Sequence, residues 1–205
     1  MGLYDTYILP QLTHWICSQQ EIAKERRKIV PRAKGNVLEV GMGSGLNLPF
    51  YDPSVVRHVW GVEPSFKLRE MAQKRAEGLS FDVDLIGFTG EEIPLDNHCV
   101  DTVVVTYALC SIPDVKKALK EMNRVLKSDG ELIFCEHGSA PDEAVRRWQE
   151  RINPFWTRVS GGCHLNRPVP DLIRESGFKI RHMETMYNSP LKIVSFNYQG
   201  VAVHG

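Results

Sequence analysis

Val37-Leu38-Glu39-Val40-Gly41-Met42-Gly43-Ser44-Gly45-Leu46-Asn47 is the stretch that decides the fold. A short, mostly apolar run passes straight into glycines at every second position. The apolar part reads as a buried parallel strand, and the glycines as the turn at its carboxyl end. Glycine there lets the backbone take positive φ and lets a ligand approach with no Cβ in the way. In open α/β sheets, ligands sit in the crevice outside the carboxyl ends of the strands. The stretch therefore announces a binding site.

Its spacing narrows the ligand. A dinucleotide fingerprint, G-x-G-x-x-G, counted from Gly41 and Gly43 would need glycine where Leu46 stands. What is present is E-x-G-x-G-x-G, from Glu39 to Gly45. Downstream, strand and helix patterns alternate. Residues 55–62 read as a second strand ending at Glu63-Pro64, and 65–76 as a helix. Residues 81–86 give a third strand, and 100–106 an apolar, β-branched, central fourth. Residues 115–126 form an amphipathic helix, 127–130 a turn and 131–135 a fifth strand. Pro168 to Ser176 makes a last helix, followed by two strands, 178–186 and 193–204, with no helix between them. Alternation of this kind predicts a doubly wound parallel sheet.

Residues 1–34 carry no strand pattern. Leu3, Tyr4, Tyr7, Ile8, Leu12, Trp15 and Ile16 recur at helical spacing. These N-terminal helices either pack on the sheet or cap a substrate pocket, with Tyr4, Tyr7 and Trp15 as its wall. The organisation expected is one domain over 1–205, with 1–34 as helical lid and 35–205 as catalytic core.

Composition excludes other classes. The 205 residues are 42% hydrophobic and 24% charged, as in ordinary globular proteins. Lys+Arg and Asp+Glu are both 25, so the positive excess that nucleic-acid binding needs is missing. Five scattered cysteines include no C-x-x-C pair, which predicts no metal site and no disulfide framework. A reducing, cytoplasmic compartment is the expectation. No apolar run reaches the length of a membrane span. Met1 to Thr6 formally fits an acylation pattern, which reads as a chance match.

Two places at the carboxyl ends of strands carry chemistry. Glu63, about 20 residues beyond the glycines, is placed to accept hydrogen bonds from a ribose diol. The competing role, helix N-cap, already falls to Ser65. Glu136-His137 ends the fifth strand at the mouth of the crevice. A histidine there is suited to take a proton near neutral pH, and the alternative is a hydrogen-bonded wall residue.

The E-x-G-x-G-x-G element resembles the first motif of the class I S-adenosylmethionine-dependent methyltransferases. The run L-K-E-M-N-R-V-L-K-S-D-G-E-L, residues 119–132, is similar to a helix-turn-strand of that family. The resemblance implies a Rossmann-like seven-stranded sheet closed by a hairpin with one antiparallel strand. It implies S-adenosyl-L-methionine as cofactor and S-adenosyl-L-homocysteine as product. Gly41, Gly43 and Gly45 would pack on the amino-acid part, with Glu39 holding the loop or receiving the ammonium. Glu63 and Pro64 would meet the ribose, and Gly90 and Glu91 the adenine, although Thr89 replaces the usual aspartate. Thr106 and Tyr107 would lie beside the sulfonium.

Later segments resemble a narrower group, the methyltransferase-like alkyl thiol S-methyltransferases of animals. These segments are the E-H end of strand five, Leu109-Cys110-Ser111, W-x-x-x-x-x-P-x-W from Trp148 to Trp156, and G-C-x-L-x-R from Gly162 to Arg167. The implied substrate pocket contains Tyr4, Tyr7, Cys110, Trp148, Trp156 and Cys163, with His137 and Glu136 catalytic. The animal proteins begin with a hydrophobic anchor, and the present sequence shows none, which implies a soluble, bacterial relative. The leading expectation is methylation of a small thiol, in detoxification. The alternatives are an oxygen or nitrogen acceptor on a small aromatic, phenolic or quinol metabolite, and a cofactor-binding sensor or partner subunit without catalysis.

Overall fold

The computed structural model describes residues 4–205. Met1, Gly2 and Leu3, and with them the start of the acylation pattern, lie outside the described residues. After a π-helical turn, Tyr4–Ile8, come α1 (Leu9–Cys17) and α2 (Gln20–Ile29). The alternating core follows as β1 (Gly35–Val40), β2 (Val56–Val62), α3 (Phe66–Ala76), β3 (Asp82–Ile86), β4 (Val100–Thr106), α4 (Val115–Val125) and β5 (Leu126–His137). The chain ends with α5 (Glu143–Val159), α6 (Val169–Glu175), β6 (Phe178–Tyr187), α7 (Lys192–Ser195) and β7 (Phe196–His204).

The strands form one seven-stranded sheet in the order β3-β2-β1-β4-β5-β7-β6. Strands β1 to β5 pair in parallel, and β7 runs antiparallel to both β5 and β6. Strand order reverses between β1 and β4, so the crevice opens at their carboxyl ends. The sheet is buried on both faces because its central strands are apolar at odd and even positions alike. Leu38, Val103, Val105, Leu132 and Phe134 pack beneath Leu119 and Met122 of α4 and Ile173 of α6. Val37, Val59, Val104 and Ile133 pack on the other face, with Ile29 of α2 and Ala72 of α3.

The structure differs from the sequence reading in three places: residues 143–159, for which no helix was expected, form the long helix α5, and two differences are local. The expected turn at 127–130 is a bulge within β5. Leu126 pairs with Val100 and the next aligned pair is Glu131 with Thr102. Lys127 Nζ reaches Asp101 Oδ1 at 2.7 Å and holds the excess chain against β4. The last two strands are joined through the short helix α7, where no helix was expected. Its residues bring the Ile193 carbonyl to the Gln149 amide at 3.0 Å.

Candidate active site

A cavity of about 660 Å³ opens where the topology places it, above the ends of β1 and β4. That volume accommodates a nucleoside, an amino acid and a small acceptor together. Gly41, Gly43, Glu63, Pro64, Gly90, Glu91, Thr106 and Tyr107 all line it, as do Cys110, His137, Trp156 and Cys163.

The glycine loop forms one wall. Gly41 and Gly43 have φ of 70° and 58°, a region that side chains with a Cβ rarely enter. A Cβ on Gly43 would meet nothing closer than the Gly41 carbonyl at 4.0 Å, so this position faces open cavity. The carboxylate of Glu63 accepts from the Gly43 N–H at 3.0 Å and the Ser65 N–H at 2.8 Å. Burial raises its pKa, opposed by those two hydrogen bonds. Ser65 also caps α3, its hydroxyl accepting from the Leu68 N–H. Glu63 thus braces the loop while remaining on the cavity wall.

Two residues expected on this wall are turned away from it. Glu39 is buried, and its oxygens accept from Asn47 Nδ2 at 2.9 Å and Tyr51 Oη at 2.7 Å. Burial pushes its pKa up to about 7. Asn47 Nδ2 also donates to Thr106 Oγ1 at 3.0 Å. Glu39 therefore holds the loop and offers no oxygen to an ammonium in the cavity. Gly45 faces α3, where a Cβ would stand 3.1 Å from Ala72 Cα. Its role is close helix packing.

Another part of the cavity wall is built from sulfur and imidazole. His137 Nε2 lies 3.2 Å from Cys163 Sγ. Cys110 Sγ joins them, all three donor atoms being within 4.8 Å of one another. The Cys163 thiol is pulled below its ordinary pKa by the Cys110 thiol, against burial and with help from His137. Burial lowers the pKa of His137, but contact with Cys163 outweighs it and the net direction is up. One proton shared between Sγ and Nε2 leaves one atom free to accept another.

Glu136 does not reach this cluster. Its side chain is fully buried, and Oε1 accepts from the Ala108 and Leu109 N–H groups at 2.7 and 3.0 Å. Period-2 alternation sends Glu136 and His137 to opposite faces of β5. The carboxylate therefore fixes the loop after β4, not a substrate. Arg167, the last residue of the G-C-x-L-x-R element, donates to the Leu109 carbonyl of the same loop. Tyr107 opens that loop with φ of 54°, an unusual conformation for a residue with a Cβ.

Four aromatic residues expected in the pocket stand outside it. Tyr4 donates its hydroxyl to the Val159 carbonyl at 2.6 Å, and Tyr7, Trp15 and Trp148 are 64%, 63% and 51% exposed. Tyr4 and Tyr7 lie in the π-helical turn before α1, whose inner face is taken by Pro10, Thr13, His14 and Cys17. His14 Nδ1 contacts Ser44 Oγ in the glycine loop at 2.8 Å. The sequence reading missed His14 and Cys17, since nothing local to α1 shows which side docks. It also missed Gln149, buried in α5, which donates to the Gly138 carbonyl at 3.1 Å and accepts from the Ala140 N–H at 2.9 Å.

A family described as a methyltransferase domain matches residues 38–134. The chain is 30% identical to thiol S-methyltransferase TMT1B of Mus musculus over 193 residues, 88% of this chain and 78% of that protein. It is 34% identical to an uncharacterised methyltransferase of Oceanobacillus iheyensis, over 86% of this chain and 73% of that one. The chain belongs to the class I S-adenosylmethionine-dependent methyltransferases. A solved S-adenosylmethionine-dependent methyltransferase of Thermotoga maritima shares the fold, with a TM-score of 0.64 at 22% identity over 96% of this chain and 95% of that one. As in other class I methyltransferases, the cofactor is S-adenosylmethionine. The open face of Gly43 and the buried Glu63 carboxylate fit its amino-acid and ribose parts. Among the described residues, no helix of this methyltransferase is long and apolar enough to cross a membrane.

Proposed function

We propose that this methyltransferase methylates a small thiol, with His137 as the proton-accepting residue. The observation that carries the proposal is the His137–Cys163 contact on the wall of the cavity. It supports an acceptor site that tolerates sulfur and takes a proton from it. The likeness to a thiol S-methyltransferase over most of the chain agrees. When bound, the cofactor supplies an electrophilic methyl group on a sulfonium. Gly41 and Gly43 seat its amino-acid part, Glu63 and Pro64 its ribose, Gly90 and Glu91 its adenine, and Thr106 and Tyr107 border the sulfonium. Cys110, Trp156 and Cys163 shape the acceptor end, where alignment of nucleophile, carbon and leaving sulfur sets the rate. Incubation with labelled cofactor and matched thiols, alcohols, phenols and amines tests the reading. Methyl thioethers should dominate, and preferential methylation of a phenol or amine would replace it.

The ribose contact gives a second expected outcome. Glu63→Ala should weaken S-adenosylmethionine by about 2 kcal/mol through loss of charge-assisted hydrogen bonds. Glu63→Gln, which keeps an acceptor for the Gly43 N–H, should recover part of it. Calorimetric titration measures both, and unchanged affinity in the alanine variant would remove Glu63 from the site.

We also assign residues 1–34 a lid role. Helix α1 covers the cavity through Pro10, His14 and Cys17. Deleting residues 1–16 should leave the sheet folded and raise the acceptor KM several-fold. An unchanged KM would make this segment packing alone.

A further inference from the structure

We propose that Cys163 and Cys110 form a redox dithiol, with Cys163 attacking a small disulfide that enters the cavity and Cys110 resolving the mixed disulfide. The proposal takes from the function above only that the cavity admits small sulfur compounds. Three observations support it. The two sulfurs and the His137 nitrogen lie within 4.8 Å of one another. The backbone holds the two cysteine-bearing loops together, the His164 N–H donating to the Cys110 carbonyl at 2.8 Å. Both thiols line the cavity, so a ligand reaches them.

The two thiols are unequal, as attack and resolution require. Contact with Cys110 and His137 favours the Cys163 thiolate. The same contact, together with burial, keeps Cys110 protonated. The thiolate is the attacking species in thiol–disulfide exchange. Other cysteines lack this arrangement. Cys135 is buried in β5 two residues before His137, outside the cavity lining, its Sγ against Tyr107 Oη at 3.7 Å and its thiol pushed up to about 12 by burial. Cys99 lies just before β4, away from the cavity lining.

The steps balance. The Cys163 thiolate forms a bond to one sulfur of the small disulfide, and the other leaves as thiolate, taking the proton from His137. Cys110 then gives its proton to the neutral imidazole and attacks the Cys163 sulfur. The second small thiolate departs and takes that proton. One disulfide is reduced to two thiols while the protein's two thiols are oxidised to one disulfide. Cys163 then no longer engages His137, and the acceptor end is closed to methyl transfer until a reductant restores it.

Treatment of the purified protein with glutathione disulfide, followed by intact-mass and peptide mapping, tests this. The wild type should lose the mass of two hydrogens and yield a Cys110–Cys163 linked peptide. Cys110→Ser should instead keep one glutathionyl group on Cys163, and Cys163→Ser should acquire neither product. Methyl transfer should fall about 10-fold or more on oxidation and return with reductant. A stable glutathionyl adduct on the wild type, linkage of Cys163 to Cys17, or protection of both thiols by bound zinc would overturn the proposal. The mass readout needs no methyl acceptor. A Cys110–Cys163 disulfide that forms in a protein inactive on thiols therefore upholds this inference and defeats the acceptor reading.

Discussion

Gly43→Val should abolish measurable binding of S-adenosylmethionine, a loss of about 100-fold or more. Two effects add. Valine at φ 58° is strained, because a β-branched side chain avoids the left-handed region. Its side chain would also project into space the fold leaves empty for the ligand, no atom lying within 4 Å of the added Cβ except the Gly41 carbonyl at that limit. Gly41→Val should fail for a different reason. There the Cβ would stand 2.3 Å from Ala108 Cβ, so the loop after β4 must shift. The Gly41 variant should lose melting temperature as well as affinity. The Gly43 variant should lose affinity with a smaller change in stability. Titration calorimetry and thermal melting separate the two, and retained affinity in Gly43→Val would place the cofactor elsewhere.

Most of the frame was legible because its signals are local. A β-branched run such as 100–106 can only be a buried strand, and the structure ends β4 at the same residues. The excess chain at 127–130 misled because Ser128-Asp129-Gly130 has turn chemistry, whereas the ladder to β4 resumes beyond it. Helix α7 was invisible for a related reason. Four residues give no helical period to read.

The candidate site was legible where side chains sit on strand ends or glycine turns. It was less so where orientation decides. Glu136 and His137 are neighbours in sequence, and only the pleat separates a loop clamp from a cavity residue. Tyr4, Tyr7, Trp15 and Trp148 suggested a pocket by their chemistry. The docking of α1 with the turn before it, and of α5, which no local pattern specifies, left them outside. Contact between Cys163 and His137 joins residues from a loop and a strand end, so neither thiol nor imidazole announces its partner.

His137 carries the largest expected effect on turnover. The cysteine thiol has an ordinary pKa near 8.5 and a simple alkyl thiol ionises no more easily, so at neutral pH most of such an acceptor is protonated and a poor nucleophile. The His137–Cys163 pair offers an atom that takes that proton. His137→Ala should cut turnover by roughly 10²-fold at pH 7. The sign of the pH dependence follows. Raised pKa at His137 means that the imidazole loses its proton, and becomes an acceptor, only above the ordinary histidine value. Wild-type turnover should therefore climb with pH through that region. The variant should follow ionisation of the thiol itself, so the deficit shrinks as pH rises. An acidic thiophenol, already ionised at pH 7, should be nearly indifferent to the substitution.

The most direct test is the pH–rate profile of wild type and His137→Ala, with an alkyl thiol and a thiophenol as acceptors, at saturating S-adenosylmethionine. The account predicts a deficit for the alkyl thiol that is large near neutrality and closes at high pH, with little deficit for the thiophenol. Profiles offset by the same factor at every pH, for both acceptors, would contradict it and leave His137 as a positioning residue only.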